Sequence, residues 1–186
     1  MAKGVVVACG AWTREFIPAL KGALTVRRQV LHWYADPDRF FTEDAGFRAF
    51  VFHTTDGKII YGIPSVDAKT FKIAEHTEGV AIADPMQVNR SSSYADRREM
   101  NRHVERMFPQ AGKWRKSKVC LYTMSPDEHF VIDRHPEWDR VWYMTGESGH
   151  AFKFAPVLGE ILSKGALGQN IPYDIDLFSA SRLARR

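Results

Sequence analysis

The first strand of the chain constrains the fold more than any other feature. Residues Val5–Ala8 form an apolar, mostly β-branched run that ends at Cys9-Gly10. A strand that is apolar on both faces is typical of the middle of a parallel sheet with both faces covered. We therefore expect the neighbours of this strand to come from later in the chain or from a segment upstream of it.

The rest of the pattern predicts an α+β fold with a mainly antiparallel middle. The Asp56-Gly57 pair marks a hairpin turn between two alternating segments. Apolar residues at helical spacing predict helices over Asp96–Phe108 and Pro156–Lys164, the first ended by Pro109 and the second capped by Gly165. The further predicted strands are Thr25–Tyr34, Phe47–His53, Lys58–Ile63, Phe71–His76, Lys118–Thr123, Phe130–Asp133 and Val141–Thr145.

Composition excludes several classes of protein. With 186 residues, 45% of them hydrophobic, the chain can bury a core as one domain or two small lobes. Lys and Arg outnumber Asp and Glu by only 26 to 22, so we interpret the basic run Lys113–Lys118 as a solvated loop; contact with a phosphate backbone is the alternative. Cys9 and Cys120 cannot make a disulfide framework, and no apolar run approaches the roughly 20 residues of a membrane helix. We predict a cytosolic protein that binds neither nucleic acid nor membrane.

The densest polar cluster lies between residues 126 and 136 and holds two histidines and three carboxylates. His129, Asp133 and His135 are candidate ligands of a metal-dependent hydrolase, but their spacing fits no standard zinc pattern. A polar turn that leads into a strand, with carboxylates accepting from backbone N–H groups, explains the cluster better. We therefore predict no metal site.

A glycine-containing loop, Gly146–Phe154, joins a predicted strand to a predicted helix. Backbone N–H groups in such a loop can approach an electron-rich ligand, and the helix dipole favours negative charge there. Lys153 adds a full positive charge. A plain connector with a solvent-facing lysine is the alternative.

Cys120 lies in a predicted strand, close in sequence to Lys116 and Lys118. Their charges would favour the thiolate and make Cys120 a candidate nucleophile. The alternative is an inert, small apolar side chain.

Tyr61 precedes a predicted strand that carries Lys72 and His76. Because these two residues are four apart, they lie on the same face of that strand. They either project into a site or line the solvated side of a sheet.

In their order along the chain, these motifs resemble the C-terminal half of the monomeric sarcosine oxidase and N-methyl-L-tryptophan oxidase family, within the D-amino-acid-oxidase-like flavoproteins. The order is a Gly-Ala-Trp strand end, YGIP, a lysine and a histidine four apart, Cys-x-Tyr, PDEHFVIDRHPE, and SGHAFKF before a helix. The resemblance runs from about Val5 to Ser181.

The resemblance implies roles for five side chains. Cys120 looks like the cysteine that joins FAD covalently. Tyr61 and Tyr122 resemble aromatic residues of the substrate cavity. Lys72 is similar to a lysine near flavin N5 that is associated with O2 activation, and His76 to a histidine that positions the substrate amine.

The loop resembles the segment that wraps the flavin. Lys153 is similar to the lysine near the flavin pyrimidine edge and the substrate carboxylate. Glu147 and Ala151 stand where the family pattern has an apolar residue and a glycine, and Trp33 and Phe52 would alter the size of a substrate pocket. The backbone that wraps the flavin would be that of Gly149, His150, Ala151 and Phe152.

For the whole chain, the resemblance implies part of an FAD-dependent oxidoreductase that oxidises an N-methyl amino acid, such as sarcosine or N-methyl-L-tryptophan, with O2. The products would be the demethylated amino acid, formaldehyde and H2O2. It also implies a remnant of an FAD-binding domain in residues 1–24, a substrate domain with a mainly antiparallel or mixed sheet in residues 25–115, and C-terminal strands and a helix of the FAD-binding domain in residues 116–186.

The sequence has no strand–GxGxxG–helix unit. Because that unit binds the ADP part of FAD, we expect the N-terminal dinucleotide-binding unit to be absent and the chain alone to bind FAD poorly. The alternative is a non-catalytic or split remnant of such a flavoenzyme that needs a partner segment.

Overall fold

The computed structural model describes residues 2–77 and 79–185, so the predicted domain limits at residues 1 and 186 lie outside it. The chain forms two compact units. The first contains the chain up to Arg27, Ala81–Met86, and the chain from Leu121 onward. The second contains Arg28–Val80 and Gln87–Cys120. The flavin and substrate roles predicted for such units remain predictions.

The described residues form nine strands and three α-helices, which confirms the predicted α+β class. The helices are α1 (Thr13–Phe16), α2 (Tyr94–Met107) and α3 (Ala155–Ala166). The strands are β1 (Val5–Val7), β2 (Thr25–Ala35), β3 (Phe50–His53), β4 (Ile59–Ile63), β5 (Thr70–Glu75), β6 (Val80–Ile82), β7 (Trp114–Met124), β8 (Val131–Arg134) and β9 (Val141–Thr145).

The first unit contains a three-stranded sheet in the order β1-β9-β8. β1 is parallel to β9, with Val5 opposite Val141, and β8 is antiparallel to β9. The parallel pairing with β9 confirms a neighbour from later in the chain; among the described strands β1 lies at the edge of the sheet, and a second neighbour from an upstream segment stays a prediction. Its outer edge pairs with no described strand, and Val5 and Val6 are 45% and 43% exposed.

α3 packs on this sheet through one apolar face, with Leu158, Ile161 and Leu162 buried. Gly165 lies inside the helix, not at its C-cap as predicted. A Cβ atom at Gly165 would lie 2.4 Å from the Trp142 ring, so glycine permits the close approach of helix and strand. The residue with a left-handed backbone after the helix is Gly168, at φ +69°.

The second unit contains antiparallel pairs β3–β4, β4–β5 and β5–β2, and β6 and β7 also pair with β2. α2 begins at Tyr94, two residues before the predicted start, because Ser93 is its N-cap and forms a capping box with Asp96. Its buried residues Met100 and Val104 join an aromatic core. The buried aromatic members of that core are Tyr34, Phe41, Phe71 and Phe108.

The basic run at residues 113–118 is not the predicted loop, because β7 begins at Trp114 and includes most of it. Backbone pairing with β2 explains this strand, since pairing depends on a distant partner and not on the local charge. Across the part of the chain that the structure describes, no helix has the length and apolar character needed to cross a membrane.

Candidate functional site

One face of the second unit's sheet carries the first group of candidate residues. Trp33 on β2 lies opposite Lys72 on β5, and Tyr61 on β4 lies opposite Ala74 on β5. Because directly paired residues share a face and side chains alternate along a strand, Trp33, Tyr61 and Lys72 lie on the same face. We call this the Tyr61 face. The Nζ atom of Lys72 lies 5.7 Å from the centroid of the Tyr61 ring.

His76 joins this group just after β5 ends. Its backbone N–H donates to the Ile59 carbonyl at 2.7 Å, so the extended pairing continues past β5. Its ring lies edge-on to Tyr61, with 6.3 Å between centroids. The structure thus brings Tyr61, Lys72 and His76 together, and their catalytic roles remain predictions.

The two residues proposed to alter pocket size lie on opposite faces. Trp33 lies on the Tyr61 face, and the Nζ atom of Lys116 is 5.3 Å from its ring centroid. Phe52 pairs with Ile60, one residue before Tyr61, and therefore lies on the other face, where its ring stacks at 6.2 Å on Phe108. Phe52 is thus a 43% exposed residue of the helix-covered face, and its effect on the size of a pocket stays a prediction.

Cys120 lies on β7 as a half-buried free thiol. Burial raises its pKa, and the positive charges of Lys72 and Arg90 only partly oppose this effect. The expectation that Lys116 and Lys118 favour the thiolate is therefore wrong, because desolvation of the thiolate outweighs the nearby cations and those cations are different residues.

Arg90 is a residue near Cys120 that the sequence patterns do not identify. It precedes the serine-rich segment 91–93 and lies 30 positions before Cys120 in the sequence. Its influence on Cys120 comes from the tertiary fold. No local motif signals such a distant pair.

In the first unit, the loop Gly146–Phe154 takes a backbone path that few residues can adopt. Gly146, Ser148 and Gly149 have φ angles of +66°, +46° and +78°. A Cβ atom at Gly149 would lie 2.3 Å from the ring of Tyr122, so only glycine permits this contact. The loop is tied to β7 where the Ser148 N–H donates to the Thr123 carbonyl at 2.9 Å.

The remaining loop residues divide between core and solvent. The Nε2 atom of His150 donates to the Glu128 carbonyl at 3.0 Å, and its ring lies 4.8 Å from Phe130. Ala151 is buried in the core beneath α3, so its methyl group is a packing group. Phe152 is 94% exposed.

The start of α3 carries positive charge. Its N-cap residue, Phe154, forms no side-chain cap, but the Ala155 N–H donates to the Phe152 carbonyl and Pro156 has no N–H. Lys153 immediately precedes the cap, and its Nζ atom lies 5.3 Å from the centroid of the Phe154 ring. Positive charge at a helix N-terminus suits an electron-rich ligand edge.

Glu147 is a half-buried carboxyl group in the same loop. Burial raises its pKa, which its own backbone N–H and the Thr123 side chain partly oppose. The protonated form of Glu147 therefore persists to a higher pH than that of a solvated glutamate.

The polar cluster before and within β8 is a hydrogen-bonded turn. Asp127 pairs with Arg182 at 2.9 Å, and its carboxylate also accepts from the His129 N–H. Asp133 accepts from the Ala180 N–H at 2.8 Å, which holds the C-terminal segment against β8. No group of three or more potential metal ligands occurs within residues 2–77 and 79–185.

The comparisons with known proteins agree on one family. Residues 1–164 match the family model described as FAD-dependent oxidoreductase, DAO. The chain is 36% identical over 186 residues to monomeric sarcosine oxidase from Bacillus sp. (strain NS-129), covering 97% of this chain and 48% of that protein. It is also 36% identical over 182 residues to N-methyl-L-tryptophan oxidase from Yersinia pestis (strain Pestoides F), with the same coverages. The chain thus spans about half the length of these relatives.

Solved structures share the fold. Iminodiacetate oxidase from Chelativorans sp. BNC1 matches with a TM-score of 0.74 and 14% identity over 96% of this chain and 46% of that chain. Glycine oxidase from Geobacillus kaustophilus matches with a TM-score of 0.73 and 18% identity over 100% of this chain and 46% of that chain.

Proposed function

Because the chain belongs to the DAO family of FAD-dependent oxidoreductases, we propose that it is part of a flavoenzyme that oxidises an N-methyl amino acid such as sarcosine or N-methyl-L-tryptophan. The substrate, O2 and water would give the demethylated amino acid, formaldehyde and H2O2. The observation that supports this reaction best is the convergence of Tyr61, Lys72 and His76 on one sheet face. Two unpaired cysteines fit a reducing compartment, and we place the reaction in the cytosol.

The first unit suits the binding of FAD. The left-handed backbone at Gly149 permits a close approach, and the N-terminal end of α3 and Lys153 together offer positive charge. Such charge would stabilise the negative charge that a flavin gains at its pyrimidine edge on reduction. The flavin, when bound, supplies the redox chemistry by accepting two electrons from the C–H bond beside the amine nitrogen and passing them to O2.

The second unit suits substrate and O2. His76 can take a proton from the substrate ammonium, so that the amine is neutral when its C–H bond breaks. Lys72 supplies positive charge for the negative charge that develops on O2 during its reduction. Tyr61 contacts both side chains and so holds them beside each other.

The proposal also places a covalent link to FAD at Cys120, and flavin retention tests it. The chain is co-expressed with the N-terminal half of a monomeric sarcosine oxidase, purified, and precipitated with acid. We expect the pellet to keep its yellow colour, and to lose it in Cys120→Ser but not in Cys9→Ser, the matched free-cysteine control. Equal flavin retention in Cys120→Ser would contradict the assignment to Cys120.

A second candidate is a non-catalytic remnant that needs a partner segment. The open edge of β1, with Val5 and Val6 half-exposed, favours a missing strand from such a segment. A peroxide assay with sarcosine and N-methyl-L-tryptophan on the co-expressed pair separates the two functions. Peroxide that requires substrate supports the oxidase, and a complex that binds FAD without producing peroxide supports the remnant.

A further inference from the structure

The polar turn Ser125–His129 contacts the loop Gly146–Phe154, and the proposed oxidation gives this turn no role. The Ser125 N–H donates to Oγ of Ser148 at 3.4 Å. Both serines are buried, at 4% and 1% exposed, so water does not compete for this hydrogen bond. The turn thus holds the loop at the residue just before Gly149.

A second contact lies just after Gly149. The Nε2 atom of His150 donates to the Glu128 carbonyl at 3.0 Å. Gly146 also packs on the turn, since a Cβ atom there would lie 3.3 Å from Cβ of Ser125. The loop is therefore attached to the turn on both sides of Gly149, and a movement of the turn would carry the loop with it.

The turn itself is strained at Glu128, whose backbone has a φ of +61°. Few residues other than glycine adopt this left-handed conformation, so other contacts must hold the turn in place. Within the turn, the Ser125 hydroxyl donates to the His129 carbonyl at 2.7 Å, and the Glu128 N–H donates to the Ser125 carbonyl at 3.2 Å.

Arg182, in the C-terminal segment, holds the turn from outside. Its Nε atom donates to Oδ2 of Asp127 at 2.9 Å, and its Nη2 atom donates to Oδ1 at 3.2 Å. The same Nη2 atom donates to the His129 carbonyl at 2.9 Å. Because a guanidinium is planar and rigid, these hydrogen bonds fix the orientation of the carboxylate and the carbonyl together.

The pair formed by Arg182 and Asp127 is shielded from solvent and stays charged. Each side chain is 17% exposed. Hydrogen bonds from Arg182 hold the pKa of Asp127 well below its ordinary value, so the carboxylate is ionised at neutral pH. The next residue, Leu183, packs against the apolar cluster that contains Ile17 and Val131. This apolar contact anchors the C-terminal segment beside the turn independently of the pair.

We propose that Arg182 is a positioning residue for the loop before α3: by fixing the turn Ser125–His129, it fixes the backbone on both sides of Gly149. The effect on FAD rests on the proposed function, in which this loop wraps the flavin. Among the described residues, the hydrogen bonds of Arg182 reach the turn and Ser179 but not the loop, so Arg182 acts through the turn. Arg182 also lies outside residues 1–164, which match the family model.

Hydrogen exchange on the purified chain tests this coupling without flavin. In Arg182→Met we expect the Ser148 amide to exchange roughly tenfold faster, because the loss of a charge-assisted pair of hydrogen bonds frees the turn. Amides inside α3 should keep their rates, which separates an opening of the loop from a general loss of stability. Arg182→Lys keeps the positive charge and should restore part of the protection.

Arg134→Met is the matched control, because Arg134 is an exposed arginine of the same unit that pairs with Asp139 at the surface. It should leave the exchange of the loop unchanged. If Arg182→Met does not fold, Asp127→Asn replaces it with the same expectation. Unchanged exchange at Ser148, or equal acceleration within α3, would overturn the proposal.

The consequence for FAD is measured on the chain co-expressed with the N-terminal half of a monomeric sarcosine oxidase. We expect Arg182→Met to lower the FAD that co-purifies with the pair several-fold, Arg182→Lys to lower it less, and Arg134→Met to match the parent. Faster exchange of the loop with unchanged FAD would overturn the positioning role. A parent pair without FAD would instead contradict the proposed function, and exchange in the chain alone would still decide whether Arg182 fixes the loop.

Discussion

His32 shows how a single buried residue affects the whole chain's response to pH. It lies on β2, is 2% exposed, and its Nδ1 atom has no partner among the residues described. Burial lowers its pKa to about 4, with Asp96 opposing the shift and Arg97 adding to it. The charged form of His32 is therefore disfavoured in the folded chain.

We predict that His32 makes the chain sensitive to mild acid. Its folded pKa is below the ordinary value of 6.5, so its contribution to stability is complete above pH 6.5 and is lost as the pH falls toward 4. Between these pH values His32 takes up as much as one proton on unfolding. The free energy of unfolding therefore falls by at most about 1.4 kcal/mol for each unit by which the pH decreases.

Urea denaturation between pH 7 and pH 4 checks this prediction. His32→Gln should flatten the pH dependence, and the exposed His53→Gln should retain it. If both variants follow the parent's pH curve, another group causes the acid sensitivity.

Cys120 is a second case in which burial decides the behaviour of one residue. Its neighbours in sequence, Lys116 and Lys118, predict a stabilised thiolate, yet burial raises its pKa. At neutral pH the free thiol is therefore protonated. The cations that partly oppose this rise, Lys72 and Arg90, are brought near Cys120 by the fold.

At the scale of the element, the segments on either side of α3 require glycine for two separate reasons. Gly149, in the loop before the helix, combines a left-handed backbone with a close approach to the Tyr122 ring. Gly168, just after α3, has a similar φ of +69°, but a Cβ atom there would meet no heavy atom within 4 Å. Substitution at Gly168 therefore measures the cost of left-handed backbone strain alone, and substitution at Gly149 measures that strain together with a steric clash.

We predict that Gly168→Ala lowers the free energy of unfolding by about 1 kcal/mol, since it adds only left-handed strain. Gly149→Ala should cost about 1–3 kcal/mol more, since the Tyr122 ring must also move. Urea denaturation measures both variants. Equal losses would show that the Tyr122 contact does not restrict position 149.

The helices also show where local signals suffice. α2 lies close to its predicted range because the Ser93–Asp96 capping box and the spacing of Met100 and Val104 are local features. The prediction of Gly165 as a cap is wrong because its actual role, the contact with Trp142, depends on a strand distant from it in sequence.

At the scale of the whole molecule, the chain builds two units from interleaved segments. It passes from one unit to the other after Arg27, Val80, Met86 and Cys120. Each unit has its own buried core. Each unit is also built from segments that are separated in sequence. The first unit also leaves the outer edge of β1 without a partner among the described strands.

We predict that this edge receives a strand when the chain is co-expressed with the N-terminal half of a sarcosine oxidase. Val6→Lys places a charge on the edge and should reduce the FAD that co-purifies with the pair, because a charged edge resists strand pairing. Val66→Lys, at a 97% exposed valine of the second unit, is the control. Absorbance at the flavin band measures the effect, and equal FAD in both variants would argue against pairing at β1.

The family, the α+β class and the position of α2 could all be predicted from the sequence alone. They depend on the order of motifs, residue periodicity and helix capping, which are local in the chain. The fold was needed to show that β1 lies at the edge of the described sheet and that Phe52 and Tyr61 lie on different faces of their sheet. It was also needed to show which cations act on Cys120. These features depend on strand register and on contacts between residues far apart in sequence. A shift of register by one residue would turn each side chain to the other face.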